Sequence, residues 1–335
     1  MKRNNSHPIF YIITTIIVII FSLLLFFSSK SGTNNINFYI IFAPFFVPLY
    51  IINLIFLFYL TIFRKSFRAI IPLFSLLYGF NIVPCYIQWK KADNISNKYY
   101  TIQTYNVHHF QHYEYNNTVE HIINSTEGYN SDILCIQEHR NHKNTSIFNK
   151  NFPYSCFSDS ISREGVAIYS KFPILKSNPI IFKENEHRAI EANISIDSTI
   201  VKIICVHLQT TGVSQNKKDI PILSKDISNN ILHNTKKRKK QIEIIDSLCQ
   251  NSKHPVILCG DFNDTPNSYT YRKATKYLQD AFKTSGSGYA NSYNSKFNFI
   301  RIDYILHSQQ IVGHKFQYSQ LPWSDHKSAI FSFYF

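Results

Sequence analysis

Three long apolar segments near the beginning of the chain limit what that part can fold into. They run from about Pro8 to Phe27, from Phe38 to Phe63 and from Ala69 to Ile87. A helix of about 20 apolar residues can cross a bilayer, whereas a cleaved signal peptide has a shorter apolar region that no further spans follow. The segments therefore predict three retained transmembrane helices, with the second kinked at Pro44 and Pro48.

Basic residues around these segments predict their orientation. Two basic residues precede the first segment, and Arg64, Lys65 and Arg68 follow the second, whereas the loop from Ser28 to Asn37 contains only Lys30. Loops rich in lysine and arginine remain in the cytoplasm. With three spans, the rest of the chain lies outside the cytoplasm. If the third segment is only a surface helix, the orientation inverts.

The remaining sequence has the mixed composition of a globular domain. The domain organisation expected is an anchor over residues 1–92 and a folded domain over residues 93–335. The formal net charge of +14 suits an acidic partner such as phosphate, nucleic acid or anionic lipid. The abundance of lysine, asparagine and isoleucine is equally consistent with a compositional bias. The cysteines show no metal-binding spacing, and Cys135, Cys205 and Cys259 are expected to pack as small apolar residues.

Short apolar runs that end in polar residues recur in the second part of the chain. The run from Pro255 to Cys259 breaks at Gly260 and continues into Asp261 and Asn263. Such a short run, rich in branched residues, predicts a buried strand, and Gly260 allows a turn where a side chain would clash. Ligand sites of layered α/β proteins usually lie at strand ends of this kind.

Further motifs place polar residues in the same way. They are Asn106 in TYNV, Glu138 at the end of DILCIQE, His207 in VHLQ, Asp303 in RIDYIL, and Asp325 with His326 in SDH. Taken singly, Asn106 is consistent with a capping residue and His207 with a core histidine. Asp303 is harder to explain in that way, because a buried carboxylate without a partner is costly. Together the motifs indicate a single ligand site.

The ordered set TYNV, QE, VHLQ, GDFN, RIDYIL and SDH resembles the endonuclease/exonuclease/phosphatase superfamily, the DNase I-like fold, from about Tyr99 to Phe335. The resemblance implies an α/β (α+β) fold, a four-layer sandwich of two packed mixed β-sheets with helices outside. It also implies a metal-dependent phosphoesterase. Members include DNA-repair endonucleases, secreted nucleases, sphingomyelinases, inositol-phosphate phosphatases and deadenylases. The segment from Gly286 to Tyr293 is similar to a loop of membrane-anchored bacterial members, which implies a bacterial inner membrane protein.

This resemblance implies roles in binding metal and activating water. Glu138 is expected to be the main ligand of Mg²⁺, or of Mn²⁺ in its place, with help from Asn106 and Asp325. His326 is expected to act on the attacking water or to contact the phosphate. Asp303 is expected to pair with His326 and to fix its tautomer.

The remaining residues are expected to act on the phosphate and on the leaving group. Asp261 resembles the residue that orients water or assists the leaving group, and its role and that of the SDH histidine are interchangeable at this stage. Asn263 and His207 resemble donors to the phosphate oxygens. Arg188 is a further candidate for phosphate binding, because a guanidinium can bond two oxygens. An ordinary charge at a strand edge explains Arg188 equally well.

The sequence therefore predicts a membrane-anchored, metal-dependent phosphodiesterase, most simply a nuclease of the endonuclease or exonuclease type. The expected partners are a phosphodiester substrate and the lipid bilayer, with no protein partner. Membrane anchoring also favours a sphingomyelinase-like or phosphoinositide-like lipid phosphodiesterase or phosphatase. A catalytically inactive protein that binds phosphorylated ligands is a third hypothesis. The basic run from Lys236 to Lys240 is consistent with a grip on nucleic acid or lipid and with an ordinary solvated helix start.

Overall fold

A computed structural model describes residues 8–31, 38–89, 98–110, 118–140, 148–162, 165–182, 189–212, 225–294, 298–319 and 323–335. The chain forms two compact units. One comprises Met1–Pro84 with Asn267–Tyr269, and the other comprises Cys85–Pro266 with Thr270–Phe335. The division of the chain into an anchor and a catalytic domain at residues 92 and 93 stays a prediction.

The first unit is helical. It contains α1 (Pro8–Lys30), a 3-10 helix (Phe38–Phe45), α2 (Phe46–Phe58), a π-helical turn (Tyr59–Phe63), a 3-10 turn (Phe67–Ala69), α3 (Ile70–Gly79) and a 3-10 helix (Phe80–Cys85). Three continuous helical segments are long and apolar enough to cross a membrane: Phe10–Lys30, Ile40–Phe63 and Phe67–Cys85. The prediction of three such helices is confirmed, whereas their insertion and orientation stay predictions.

Polar side chains inside these apolar helices are paired with one another. The Asn53 amide is fully buried and donates to the carbonyl oxygen of Leu49 at 2.8 Å, while its oxygen accepts from the Ser22 hydroxyl at 2.7 Å. The Ser75 hydroxyl donates to the Ser22 carbonyl oxygen at 2.9 Å. Hydrocarbon offers no hydrogen bonds, so this internal pairing makes the helices compatible with a bilayer.

The second unit is built mainly from β-strands. They are β1 (Ile87–Trp89), β2 (Tyr100–Asn106), β3 (Ile133–His139), β4 (Tyr154–Phe157), β5 (Gly165–Ser170), β6 (Ile174–Ile180), β7 (Ala189–Ile196), β8 (Thr199–His207), β9 (Val256–Asp261), β10 (Gln279–Asp280), β11 (Ser287–Tyr289), β12 (Asp303–His307), β13 (Val312–Ser319) and β14 (Ser328–Tyr334). The helices are α4 (Thr118–Gly128), α5 (Phe148–Asn151), α6 (Lys225–Gln250), α7 (Tyr269–Ala274) and α8 (Ala281–Ser285), with a 3-10 turn at His108–Phe110.

Two six-stranded sheets organise this unit. Their strand orders are β13-β14-β2-β3-β5-β4 and β10-β12-β9-β8-β7-β6, and β1 pairs separately with β11. Both large sheets are mixed: β2 runs parallel to β3 and antiparallel to β14, and β8 runs parallel to β9 and antiparallel to β7. The short apolar runs of the sequence are these buried strands.

The layers are defined by buried apolar residues. A cluster between the sheets joins Ile102 and Ile168 of one sheet to Ile203 of the other. On the outer face of the first sheet, α4 and α5 pack onto β2, β3 and β5 in a second cluster, and α6 fully buries Ile242 and Ile245. The arrangement is the predicted sandwich of two mixed sheets with helices outside, and this prediction is confirmed.

Three cysteines meet in the inner core. The sulfur atoms of Cys135, Cys205 and Cys259 lie within 4.8 Å of one another, and all the cysteines of the chain are unbridged. The Gln137 amide donates to the Cys205 sulfur at 3.0 Å. Burial raises the pKa of the Cys135 and Cys205 thiols, so these two are uncharged and pack as small apolar groups.

Gly260 is the position at which β9 tolerates no side chain. Its φ is +130°, and an added Cβ would lie 2.0 Å from the carbonyl oxygen of Val206, its neighbour on β8. Gly260→Ala is therefore expected to lower the stability of the chain by about 2–4 kcal/mol, because one of the two strands must shift. Thermal unfolding of the full chain in detergent measures this loss.

Gly128→Ala provides the matched control. Gly128 ends α4, and no described atom lies within 4 Å of a Cβ added there. Its substitution is expected to change stability by less than about 0.5 kcal/mol. Equal unfolding midpoints for the two variants would contradict the steric role of Gly260.

Candidate active site at the converging strand ends

The polar strand ends predicted from the sequence lie in a single cluster. His207 and Asp261 end the parallel strands β8 and β9 and are direct neighbours in the sheet. Asp303 begins β12 and is paired with Asp261 from the other side. Asn106 ends β2, and Glu138 lies one residue before the end of β3, so the sheet that contains β2 and β3 also contributes its strand ends to the cluster.

An acid–histidine pair occupies the buried side of the cluster. His326 Nδ1 lies 3.0 Å from Asp303 Oδ2 and 3.2 Å from Oδ1. The other ring nitrogen, Nε2, lies 3.8 Å from Asp261 Oδ2. The ring of Tyr293 packs edge-on against the imidazole, with 4.9 Å between the centroids. The pairing fixes one imidazole nitrogen and directs the other toward the cluster, and it gives the buried Asp303 its required partner.

Burial and neighbouring charges shift the pKa values of this pair and of Asp261. Burial raises the pKa of the Asp261 carboxyl to about 6; Asp303 adds to the rise, while His326 and His207 oppose it. Burial by itself lowers the pKa of the His326 imidazole, but the carboxylates of Asp303 and Asp261 outweigh this and raise it to about 10. At neutral pH the histidine is therefore protonated while Asp261 titrates near that pH.

Asn106 and His207 bridge the two sides of the cluster. The Asn106 amide nitrogen lies 3.1 Å from Glu138 Oε1 and 3.1 Å from Asp261 Oδ2. His207 Nε2 lies 3.7 Å from the same two carboxylate oxygens. The Asn106 oxygen accepts from the backbone N–H of His108 at 3.1 Å. Asn106 therefore faces the carboxylates with its donor atoms.

Two residues of the cluster have left-handed backbone conformations. Asn263 has φ +51° and Glu138 has φ +55°. Asparagine adopts this region readily, whereas for other residues it costs roughly 1–2 kcal/mol. At Glu138 the register of β3 against β5 shifts between Gln137 and His139, which is a β-bulge. Bulges turn a side chain out of its normal alternation, and this one directs Glu138 to the cluster.

Asn263 also holds two strand ends together. Its side-chain amide donates to the carbonyl oxygen of Leu208 at 3.0 Å, and its backbone N–H donates to Asp261 Oδ1 at 2.8 Å. The side chain therefore ties the end of β9 to the end of β8. The amide nitrogen carries a second N–H, so a bond from Asn263 to a phosphate oxygen is compatible with this contact and stays a prediction.

Two histidines that the sequence analysis does not single out also border the cluster. His109 Nε2 lies 3.4 Å from Glu138 Oε2. His108 Nδ1 lies 3.6 Å from Asp325 Oδ1 and 4.0 Å from Glu138 Oε2. Both follow TYNV directly, with φ values of +45° and +55°. The one sequence signal for them is this position just after a strand end, which is where the other site residues lie.

The donor atoms on the exposed side of the cluster fit a hard divalent cation. The side chains of Glu138 and Asp325 are 19% and 35% exposed and flank His108. Within the described parts of the chain, imidazoles are their ion-pair partners, and neither carboxylate pairs with a lysine or arginine. Carboxylate oxygens completed by water are the ligands that Mg²⁺ prefers. Asp261, Asp303 and His326 also place ligand atoms within 4.8 Å of one another.

The arginine of RIDYIL supports Asp303 from behind. Arg301 makes a two-pronged ion pair with Asp280, with both N–O distances 2.8 Å, and its Nε donates to the Tyr318 hydroxyl at 2.9 Å. That hydroxyl donates to the backbone carbonyl oxygen of Asp303 at 2.8 Å. Such planar pairs fix geometry as well as charge, so Arg301 is a positioning residue for the start of β12.

The structure describes the basic run from Lys236 to Lys240 but not the other basic candidate, Arg188. Arg188 lies outside the described residues, and its phosphate contact stays a prediction. In α6, Arg238 is buried and donates to Asp264 Oδ2 at 3.2 Å and to the Gln209 carbonyl oxygen at 2.9 Å. The middle of the run from Lys236 to Lys240 is therefore internal, whereas both ends are exposed.

Comparisons with known proteins agree with this architecture. The model of the Endonuclease/Exonuclease/phosphatase family matches residues 104–326. The catalytic domain of human Nocturnin with a bound sulfate anion has a TM-score of 0.53 and 17% identity, over 71% of this chain and 94% of that chain. TDP2 from D. rerio complexed with single-strand DNA product has a TM-score of 0.55 and 13% identity, over 71% and 100%.

A bacterial structure is similar to the same extent. The endonuclease/exonuclease/phosphatase from Bacteroides vulgatus has a TM-score of 0.53 and 16% identity, over 71% of this chain and 99% of that chain. No curated protein matches the sequence. At these identities the solved structures establish the shared fold, and the family match covers well over half of the chain, from Thr104 to His326. The chain belongs to the Endonuclease/Exonuclease/phosphatase family.

Proposed function

We propose that the chain is a membrane-anchored, divalent-metal-dependent phosphodiesterase and that its substrate is nucleic acid. The observation that carries the proposal is the buried pair of Asp303 and His326, with the free imidazole nitrogen 3.8 Å from Asp261. Hydrolysis of a phosphodiester requires a positioned acid or base and a countercharge for the phosphate. The cluster contains a positioned acid and base, and its carboxylates are suited to hold the metal ion that supplies the countercharge.

The pKa values support a division of roles among Asp261, Asp303 and His326. Asp261, whose pKa is raised to about 6, takes a proton from the attacking water at neutral pH. His326, whose pKa is raised to about 10, stays protonated and donates from Nε2 to a phosphate oxygen. Asp303 holds the ring through Nδ1. Environments that push two pKa values apart in this way are typical of acid and base partners.

The exposed carboxylates complete the site. A divalent ion held by Glu138 and Asp325 would neutralise the phosphate and lower the pKa of the water it binds. His207, between the carboxylates of Glu138 and Asp261, donates to a second phosphate oxygen. Asn106 keeps the two carboxylates at a fixed separation through its amide.

The substrate is proposed from the family and from one neighbour. TDP2 of D. rerio, which shares the fold, is described with a single-strand DNA product, and this favours nucleic acid. A lipid substrate, such as a sphingomyelin or phosphoinositide headgroup, is the second candidate. The three helices long enough to cross a membrane favour it, because an anchored enzyme is close to lipid headgroups.

A substrate panel distinguishes the two candidates. The full chain in an uncharged detergent is assayed with Mg²⁺ or Mn²⁺ against single- and double-stranded DNA, RNA, sphingomyelin, phosphoinositides and inositol phosphates. We expect cleavage of nucleic acid that EDTA abolishes and added metal restores. Cleavage of a lipid alone would move the proposal to the second candidate. A folded chain that cleaves nothing in either metal would contradict both.

We further propose that residues 93–335 form the catalytic domain and lie outside the cytoplasm of a bacterial inner membrane, anchored by residues 1–92. The basic loop with Arg64, Lys65 and Arg68 supports this orientation. Alkaline phosphatase and green fluorescent protein fused after Phe335 test it. We expect phosphatase activity without fluorescence, and the reverse result would contradict the orientation.

A further inference from the structure

A cavity of about 530 Å³ lies in the second unit. The small sheet of β1 and β11 and the strand β13 border it, and its walls include the aromatic residues Trp89, Tyr289 and Phe316. None of the residues assigned above to catalysis or metal binding lines it. The volume suits a small ligand the size of a nucleotide or a lipid headgroup.

All the charged side chains that line this cavity are positive. Lys327 and Lys315 line it together with neutral polar side chains, and no lining residue is acidic. Lys327 is 6% exposed, and its ammonium donates to the Asn291 side-chain oxygen at 2.7 Å. Among the described residues it forms no ion pair. An ammonium has three donor protons, and burying it without an anion is costly. The cavity therefore favours an anionic ligand.

The cavity lies behind the catalytic pair. Lys327 directly follows His326, and its backbone N–H donates to the carbonyl oxygen of Ser292 at 2.7 Å. Tyr318, whose hydroxyl donates to the Asp303 carbonyl oxygen, also lines the cavity. The two sites are thus distinct but share a wall.

We propose that this cavity binds a phosphate-bearing anion, with Lys327 and Lys315 at the phosphate and Trp89 and Tyr289 beside the rest of the ligand. A phosphate has several oxygens that accept from convergent donors, which matches two ammonium groups and the neighbouring amides. The proposal does not rest on the catalytic function, because the cavity contains none of the residues assigned to it.

The source of the phosphate is a soluble compound or a lipid headgroup. The third long apolar helix ends at Cys85. Trp89 comes four residues later, which is at most about 14 Å of extended chain. Tryptophan, tyrosine and lysine are typical of the membrane–water interface. Given the proposed membrane anchoring, a lipid headgroup is a candidate ligand as well as a soluble compound.

The fluorescence of Trp89 provides the test. The chain has two tryptophans, so Trp323→Phe leaves Trp89 as the reporter. The full chain is placed in phosphatidylcholine nanodiscs with EDTA and titrated with inorganic phosphate and glycerol 3-phosphate. We expect a saturable fluorescence change. Lys327→Met is expected to weaken binding at least about tenfold, and Lys315→Met about threefold to tenfold.

Control variants separate this site from other binding. Lys253→Met, at an exposed lysine outside the cavity, is expected to leave the titration unchanged, and so is His207→Ala, which removes a proposed phosphate donor of the catalytic cluster. A response lost in His207→Ala would mean that the phosphate binds at the catalytic cluster. That outcome, or equal responses in all three lysine variants, would overturn the proposal, whether or not the chain hydrolyses phosphodiesters.

Nanodiscs that also contain phosphatidic acid distinguish the sources. If the headgroup is the ligand, Trp89 already shows the changed fluorescence there, added phosphate has no further effect, and Lys327→Met removes the difference between disc types. If the ligand is soluble, both disc types give the same titration. No change of fluorescence in either type, with any of these compounds, would overturn the proposal.

Discussion

Replacing His326 by alanine is expected to lower kcat/KM for phosphodiester hydrolysis by about 10²- to 10³-fold, the range for removing one donor to a developing negative charge. The imidazole lies between two buried carboxylates, 3.0 Å from Asp303 and 3.8 Å from Asp261. Alanine removes the donor to the phosphate and also the cation that these carboxylates share. A chromogenic phosphodiester or the best substrate of the panel measures the loss.

Asp303→Asn separates the position of the imidazole from its charge state. The asparagine oxygen can still accept from Nδ1, but the substitution removes the largest charge that raises the pKa of His326. The pKa of the imidazole should fall, so the loss of activity that accompanies its deprotonation should move to lower pH. A pH profile that keeps its position while activity falls uniformly would contradict the assigned role of Asp303.

An exposed histidine provides the matched control. His233 lies on α6 with its side chain in solvent, and His233→Ala is expected to leave kcat/KM and its pH profile unchanged. If His326→Ala keeps more than about a tenth of the native activity, the histidine does not take part in the chemistry, and the proposed division of roles with Asp261 fails.

The strands were predictable because their signals are local. Short branched runs such as the one before Gly260 are buried strands between two covered faces, and the polar residue that ends each run lies at a sheet edge by necessity. Asp303 was the most informative residue, since the cost of an unpaired buried carboxylate requires a partner. His326 is that partner in the structure.

Features that depend on contacts distant along the chain were not predictable. The bulge that turns Glu138 to the cluster arises from the register of β3 against β5. The position of His108 beside Asp325 depends on the approach of a turn and a segment more than two hundred residues apart. Cys135, Cys205 and Cys259 have no motif spacing, yet the packing of β3 of one sheet against β8 and β9 of the other brings their sulfur atoms together. The periodicity of apolar residues along the sequence does not predict contacts between residues that are far apart in the chain.

The basic run of α6 shows a further limit of composition. Five consecutive basic residues suggest a charged surface, but the helix turns one of them inward. Arg238 bonds Asp264 and a backbone carbonyl inside the protein, because residues on opposite sides of a helix meet different surroundings. Charge counted along a sequence therefore overestimates the charge available to a ligand.

Replacing Glu138 by glutamine is expected to lower metal-dependent hydrolysis by about 10³-fold or more. The change removes one negative charge from the carboxylates proposed to hold the ion, and the charge stabilisation that a metal provides amounts to several kcal/mol, where each 1.4 kcal/mol is a factor of about ten. Glutamine keeps the size of the side chain, and its oxygen can still accept from the Asn106 amide. Thermal stability should therefore change little.

Metal affinity tests this role independently of catalysis. Titration with Mn²⁺, followed by electron paramagnetic resonance, should give a dissociation constant at least about tenfold higher for Glu138→Gln than for the native chain, because a carboxamide is a weaker ligand than a carboxylate for a hard cation. Glu120→Gln, at an exposed glutamate on α4, is the matched control and should bind Mn²⁺ as the native chain does.

High Mg²⁺ concentrations should partly restore the hydrolysis of Glu138→Gln. If this variant binds Mn²⁺ normally and remains inactive, Glu138 acts in the reaction by some means other than holding the ion, and its proposed role as a metal ligand fails.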